Sequence, residues 1–351
     1  MSPPPVDPPP VLELPRVRCA PFHQALQVDP VGSAAHSDAF LCVEVPLPWE
    51  RDIGMHEPFS SLVMKGGPLR WRPLGLVPTE GGRDRRTVLA YTPTGGVSGE
   101  AERSTDGVTV LGLREWSVAA ADVLTLCTAI VEDDADGLRG FESARVHHDG
   151  DVVDLLVCTH GRRDTCCGGP GTTMFEALAA RDRSVPGLTV RTWRTSHLGG
   201  HRFAPTMVSF PDAYAWAHLD VGTAVRIALR DGAAAELAPR CRGRSTVPGG
   251  PAQVAEREGL VRHGWTWLDA RVTTQVVGFD RQQVVTTVQV TATWPDGASD
   301  RFDVDVELSD HVPQPTCGVI TGPEFGVEPV WSVIAVRDTA STHDSTAEDP
   351  R

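Results

Sequence analysis

Residues 151–157 (DVVDLLV) form a short apolar run that ends at Cys158 and predicts a buried strand. The Gly/Pro cluster Gly168-Gly169-Pro170-Gly171 predicts a loop, after which Thr172 or Thr173 caps a helix running to about Arg183. Phe175, Leu178 and Ala179 share one face of that helix. Pro186-Gly187 breaks the chain, and Leu188 to Arg194 alternates Leu, Val and Trp with polar residues, as a strand does. His197 lies just beyond. The result is a strand–helix–strand unit, whose right-handed crossover makes the two strands parallel. Parallel strands place their carboxyl ends on one edge, where open α/β sheets hold ligands. If the strands are neighbours their ends lie roughly 5 Å apart, and one intervening strand about doubles that.

The pattern elsewhere divides the chain. Residues 1–16 are a Pro-rich extended tail, and the polar segment 337–351 is expected to be disordered. Residues 17–145 read as an N-terminal α/β part, with strands at Ala39 to Val45 and Val108 to Leu113 and a helix near 118–131. A charged, Gly-rich stretch at 94–107 reads as a loop. Residues 146–245 contain the strand–helix–strand unit and a further helix at Val221 to Arg230. Residues 250–336 read as an appended α+β piece. It opens with a helix from Pro251 to Val261, with Gly264 past its end, and continues in β-branched runs at Ala270 to Gly278, Gln283 to Trp294 and Arg301 to Leu308. Pro295-Asp296-Gly297 links the last two as a hairpin. The expectation for this piece is a stabilising or dimerising module. There is no internal repeat and no heptad pattern.

Composition narrows the function classes. A chain of 351 residues has room for two or three domains. Its net charge of −14 argues against nucleic acid and anionic membrane surfaces, and favours a protein partner with a basic docking face. Eight cysteines, two of them adjacent, without a signal-peptide pattern predict a reducing cytoplasm rather than a disulfide framework. No apolar stretch is long enough to span a bilayer.

Chemistry concentrates in two short stretches, Cys158-Thr-His-Gly-Arg-Arg-Asp-Thr-Cys166-Cys167 and His197-Leu-Gly-Gly-His201. Thiolate and imidazole together select zinc, copper or iron–sulfur rather than calcium or magnesium. Gly199 and Gly200 allow tight bends between the two histidines. The His-x3-His spacing suits zinc, but the eight residues between Cys158 and Cys167 exceed the usual zinc Cys-x2–4-Cys and suit a wider object such as a two-iron cluster. His160 and Cys166 stand as alternative ligands or supporting residues, and Arg162, Arg163 and Arg202 flank the motifs as cations or docking groups. Arg162, Arg163 and Asp164 also read as a solvated ion pair. Cys19, Cys42, Cys127, Cys241 and Cys317 have no metal-like spacing and read as buried or half-buried free thiols. The Gly-rich 168–171 lacks the Gly-Lys-Ser/Thr ending of a phosphate loop. No Ser/His/Asp set or paired-carboxylate site emerges, so nothing supports glycoside hydrolysis.

CTHGRRDTCCG followed by SHLGGHRFAP resembles the sucrase/ferredoxin-like family. Cys19 with Ala20, Pro48-Trp49, FPDAYAW at 210–216 and Arg242-Gly-Arg-Ser245 extend the resemblance over roughly 17–245, with Pro315-Thr-Cys317-Gly318 a further echo. The resemblance implies a thioredoxin-like ferredoxin fold carrying a 2Fe–2S cluster held by Cys158, Cys167, His197 and His201. Family spacing favours Cys167 over Cys166. With two thiolates and two neutral imidazoles the oxidised cluster carries no net charge, which predicts a potential above that of an all-Cys ferredoxin. Protonatable imidazoles predict proton-coupled reduction. The expected role is that of an electron carrier rather than a self-contained enzyme. Two rival readings stay open: a thiol–disulfide or peroxide oxidoreductase using Cys166 or Cys167, and a structural zinc module for protein interaction.

Overall fold

A computed structural model of the chain describes residues 18–64, 67–79, 84–94, 111–181, 183–282, 284–314, 317 and 326–339. The first part comprises α1 (Cys19–Ala25), β1 (Ala39–Glu44), β2 (Trp71–Leu76), β3 (Arg85–Pro93), β4 (Leu111–Ala119), α2 (Val123–Val131), α3 (Ala135–Arg139) and β5 (Arg145–Val146). The middle comprises β6 (Asp151–Cys158), α4 (Thr165–Ala179), β7 (Arg183–Val185), β8 (Leu188–Thr195), β9 (Met207–Phe210), β10 (Tyr214–Trp216), α5 (Val221–Leu229) and β11 (Cys241–Arg244). The last part is α6 (Gly250–His263) followed by β12 (Arg271–Asp280), β13 (Val285–Thr293), β14 (Ser299–Gln314) and β15 (Gly326–Asp338).

The protein is a mixed α/β fold with two sheets. The large sheet runs β11-β10-β9-β6-β8-β2-β1-β3-β4-β5, with β7 paired to β8. Only β1–β2 and β6–β8 are parallel; every other recorded pairing in this sheet is antiparallel. The predicted strand–helix–strand unit is therefore present, and its strands are immediate neighbours, in register from Asp151↔Leu188 to Cys158↔Thr195. Two half-sheets meet through a single bridge, Leu76↔Thr195, at the carboxyl ends of β2 and β8. Ser196 reinforces that seam: its N–H donates to Gly75 O at 2.8 Å, and its Oγ accepts from Gly75 N–H at 3.0 Å. The second sheet is antiparallel, β12-β13-β14-β15.

Sequence reading misplaced the start of α4. The Gly168–Gly171 cluster lies inside the helix, which begins at Thr165 rather than after a loop. Asp164 is the cap: its Oδ1 accepts from the Cys166 N–H at 2.8 Å. The glycines serve close approach. A Cβ on Gly171 would lie 2.0 Å from the Cys158 carbonyl oxygen, and one on Gly168 2.6 Å from Gly161 Cα. The helix start is thus pressed against the turn that follows β6.

Other boundaries moved as well. β4 continues to Ala119, so the predicted helix at 118 begins only at Val123. β14 continues past Leu308 to Gln314 because β15 pairs with it throughout, and β15 runs to Asp338, inside the expected tail. The predicted hairpin is present, with Thr293 opposite Ser299 and Gly297 at φ +87°. The tail at 1–16, residues 95–107 of the Gly-rich stretch, Val108 to Val110, Gln283 and residues 340–351 lie outside the described residues.

Burial follows strand alternation. Leu155 and Val157 of β6 point into a core shared with Met174 and Leu178 of α4, while Leu156 and Cys158 point into the opposite core with Phe40, Trp193 and Phe210. The first of these cores continues without a break into Val254, Trp267, Val288 and Phe302 of the C-terminal part. A third cluster packs α2 against β1, β3 and β4. Among the described residues no helix is long and apolar enough to cross a membrane.

Candidate metal centre

Three separate segments deliver three donors to one place. β6 ends at Cys158, α4 carries Cys167 in its first turn, and His197 lies two residues past β8. One donor atom from each falls within 4.8 Å of the other two. Both thiols are 1 % exposed, and His197 is half-buried. The His197 Nδ1 is buried without a hydrogen-bond partner.

His201 sits beside this group without closing on it. Its ring centroid lies 6.1 Å from that of His197, and its Nδ1 is 3.2 Å from Asp164 Oδ2 and 3.2 Å from Cys19 Sγ. An imidazole that gives its Nδ1–H to a carboxylate presents the lone pair on Nε2, the usual arrangement around a metal-binding histidine. Gly200 makes the loop between the histidines: it has φ +65°, and a Cβ there would fall 2.6 Å from the Arg242 guanidinium.

The vicinal pair separates. Successive helix residues point about 100° apart, so Cys167 faces Cys158 and His197 while Cys166 faces elsewhere. Cys166 joins Cys19, Cys317 and Asp164, whose donor atoms also lie within 4.8 Å of one another. Cys19 and Cys317 are therefore not isolated thiols, as their spacing suggested. Spacing rules detect ligands delivered by one local loop, and these two lie 298 residues apart. The only signal for them was their place in the family-like stretches.

The remaining candidates have other partners. His160 is buried, bonds through Nε2 to the Glu50 carbonyl at 2.8 Å, and meets Trp49 edge-on at 5.4 Å. Arg162 and Arg163 are exposed, and Arg162 pairs with Glu50 at 3.5 Å, not with Asp164. That corrects the expected 162–164 ion pair: Asp164 is buried at the start of α4. Arg202 is buried against Glu328 of β15, which also takes His23 Nε2 at 2.7 Å. Two cations, the half-buried Arg72 and the buried Arg242, were not foreseen as part of the site. Arg72 donates to the His197 carbonyl at 3.4 Å, and Arg242 donates to the Gly199 carbonyl at 3.1 Å and the Ser33 carbonyl at 2.6 Å.

Electrostatics follow from this packing. The hydrogen bond from Cys167 pulls the Cys158 thiol well below its ordinary value, aided by His197 and opposed by burial. The same bond, with burial, raises Cys167. Burial lowers Arg72 to about 10 and Arg242 to about 9, while the nearby thiols resist the change. Burial also lowers His201 and His160, favouring the neutral imidazole at each. Burial pushes Cys166 up to about 11 and raises Cys19 further. Burial alone would raise Asp164, but hydrogen bonds from Cys317 and the Cys166 N–H hold it below the usual carboxylate range.

The family model described as Sucrase/ferredoxin-like matches residues 30–229, more than half of the chain. The chain belongs to the sucrase/ferredoxin-like family. No curated protein and no solved structure matches it. The matched region contains Cys158, Cys166, Cys167, His197 and His201 and ends with α5. Cys19, Cys317, β11 and the whole C-terminal sheet fall outside the sucrase/ferredoxin-like match.

Proposed function

We propose that this protein is a thioredoxin-like ferredoxin whose cofactor is a 2Fe–2S cluster ligated by Cys158, Cys167, His197 and His201. The observation that carries the reading is the convergence of Cys158, Cys167 and His197 within 4.8 Å from two parallel strand ends and a helix start. The donor set fits the group in three respects. The thiols are buried, and the hydrogen bond from Cys167 favours the thiolate form of Cys158. His197 has a buried nitrogen with no protein partner. His201 has its Nδ1 engaged by Asp164, which leaves Nε2 for a metal.

When bound, such a cluster accepts and releases one electron. The chain's own residues set how readily. Neutral imidazoles in place of two thiolates remove two negative charges, and the half-buried Arg72 and buried Arg242 add positive potential, so the reduction potential is raised. Asp164 fixes the orientation of His201 and opposes that trend with one negative charge. The net charge of −14 suits a redox partner with a basic docking face, and eight cysteines suit a reducing cytoplasm.

The test is anaerobic purification with an absorption spectrum and iron and sulfide analysis. A red-brown protein with about two irons and two sulfides per chain supports the reading. A colourless protein without iron, even after anaerobic reconstitution, sinks it.

A further inference from the structure

We propose that Cys19, Cys166, Cys317 and Asp164 form a second metal site that holds a single zinc ion, adjoining the iron–sulfur ligands at His201, whose Nδ1 lies 3.2 Å from Cys19 Sγ and from Asp164 Oδ2. The four residues come from α1, the start of α4 and the segment between β14 and β15. Nothing in the family match accounts for them together, because Cys19 and Cys317 lie outside residues 30–229.

The size of the group points to one ion. Zinc–sulfur bonds of about 2.3 Å set the sulfurs of a tetrahedral site about 3.8 Å apart. Here Cys166 Sγ lies 3.1 Å and Cys19 Sγ 3.5 Å from Cys317 Sγ. Asp164 Oδ1 lies 3.1 Å from Cys317 Sγ and 3.7 Å from Cys19 Sγ. All four donor atoms lie within 4.8 Å of one another, a spread that the bonds of one ion can span. A multi-iron cluster spreads its ligand sulfurs over several metal atoms and needs a wider cage. The first group, with its second imidazole ring 6.1 Å from His197, is the wider of the two.

Donor chemistry selects the metal. Three thiolates and a carboxylate are soft enough to exclude calcium and magnesium and match zinc. Four protein ligands leave no open position, the mark of a structural rather than a catalytic zinc. Cys19 is 0 %, Cys166 1 % and Asp164 7 % exposed, so the site is closed to water on most sides. Asp164 meets the further requirement that a ligating carboxylate be held by hydrogen bonds: the Cys166 N–H reaches it at 2.8 Å and the Cys317 N–H at 3.4 Å. The ion would staple α1 and Cys317 to the helix start that presents Cys167.

The experiment uses the full chain, purified under reducing conditions with zinc supplied, and reads metal content and zinc-edge X-ray absorption. The expected result is about one zinc per chain, with a shell of three sulfurs and one oxygen. The C158S/C167S variant keeps that zinc, whereas C19S/C317S falls below about a tenth of it while retaining iron. Absence of zinc after supplementation overturns the proposal. So does a shell of two sulfurs and two nitrogens, zinc lost from C158S/C167S but kept by C19S/C317S, or a Cys166–Cys317 disulfide that persists under reductant. Should either variant fail to fold, the absorption shell of the unaltered chain still decides. A chain without iron but with the three-sulfur zinc shell refutes the ferredoxin reading and leaves this one standing; iron without zinc does the reverse.

Discussion

Asp154→Asn tests how the two ligand-bearing strands are locked. Asp154 of β6 is fully buried and stands opposite Arg191 of β8. Its Oδ1 accepts from Arg191 Nε at 2.7 Å and Trp193 Nε1 at 2.6 Å; its Oδ2 accepts from Arg191 Nη2 at 2.8 Å and from the Tyr91 hydroxyl. Four donors thus converge on one carboxylate, which matches its acceptor capacity. An amide in the same place keeps the shape but turns one oxygen into a donor. Whichever way it faces, two of the four donors lose their acceptor. Buried donors left unanswered cost about 1–3 kcal/mol each, and breaking a buried ion pair costs about 3–5 kcal/mol. Glu115 still pairs with Arg191 at 2.8 Å, which keeps the total at the lower end of the second range. The expected loss is therefore about 3–4 kcal/mol, within a typical total stability of about 5–15 kcal/mol, so the variant still folds. The assay is urea unfolding at neutral pH followed by tryptophan fluorescence and circular dichroism. The midpoint should fall with the slope unchanged. Adding Arg191→Met should cost less than its effect alone, by more than about 1 kcal/mol of coupling. A loss under about 1 kcal/mol, the value of an exposed pair, would refute the argument that this pair pins the register of β6 against β8.

Further outcomes follow from the same structure. Replacing His197 or His201 by Cys should retain iron but lower the potential, read by redox titration; an unmoved potential would show that the histidine is not a ligand. With imidazole ligands taking up a proton on reduction, the potential of the unaltered protein should fall by about 59 mV per pH unit above the imidazole pKa of the oxidised form, and a flat profile would exclude that coupling. Gly171→Ala pushes a Cβ to 2.0 Å from the Cys158 carbonyl, so it should cost about 1–3 kcal/mol in a thermal or urea melt and reduce iron content. Burial lowers His218 to about 4, aided by His23. Because the unfolded chain protonates this group first, its contribution to stability is full above about pH 6.5 and is lost as pH falls toward about 4. A urea midpoint that stays constant between those limits would contradict the assignment.

The strand–helix–strand unit was legible because each of its strands carries a periodicity that survives without tertiary help. The start of α4 was not, because its glycines and Pro170 mimic a loop. What makes them helical is the Asp164 cap and the pressure of the Cys158 turn, neither of which is a local pattern. Cys158, Cys167 and His197 could be gathered by following strand ends to one edge of a sheet. Cys19 and Cys317 could not, since they meet from opposite ends of the chain and no local pattern joins them. Arg72 and Arg242 escaped for a similar reason: an arginine drawn into a site looks in sequence like any surface cation. The hairpin at Pro295–Gly297 was readable from its turn residues alone, whereas the length of β14 was set by a partner strand that follows later in the chain.

The unbroken core between the middle and the C-terminal part bears on what counts as the smallest working version of this protein. Glu256 of α6, wholly buried, receives the Tyr214 hydroxyl at 2.6 Å and Trp267 Nε1 at 2.7 Å, and pairs with Arg244 at 3.0 Å. Tyr214 belongs to the family-matched region; its acceptor does not. A chain trimmed to residues 30–229 would keep every residue of the first metal group yet strip the cover from Tyr214, Ile227 and the flank of α4. Here the region shared by ancestry is narrower than the core it contributes to, and a recombinant fragment drawn to the former would be expected to aggregate.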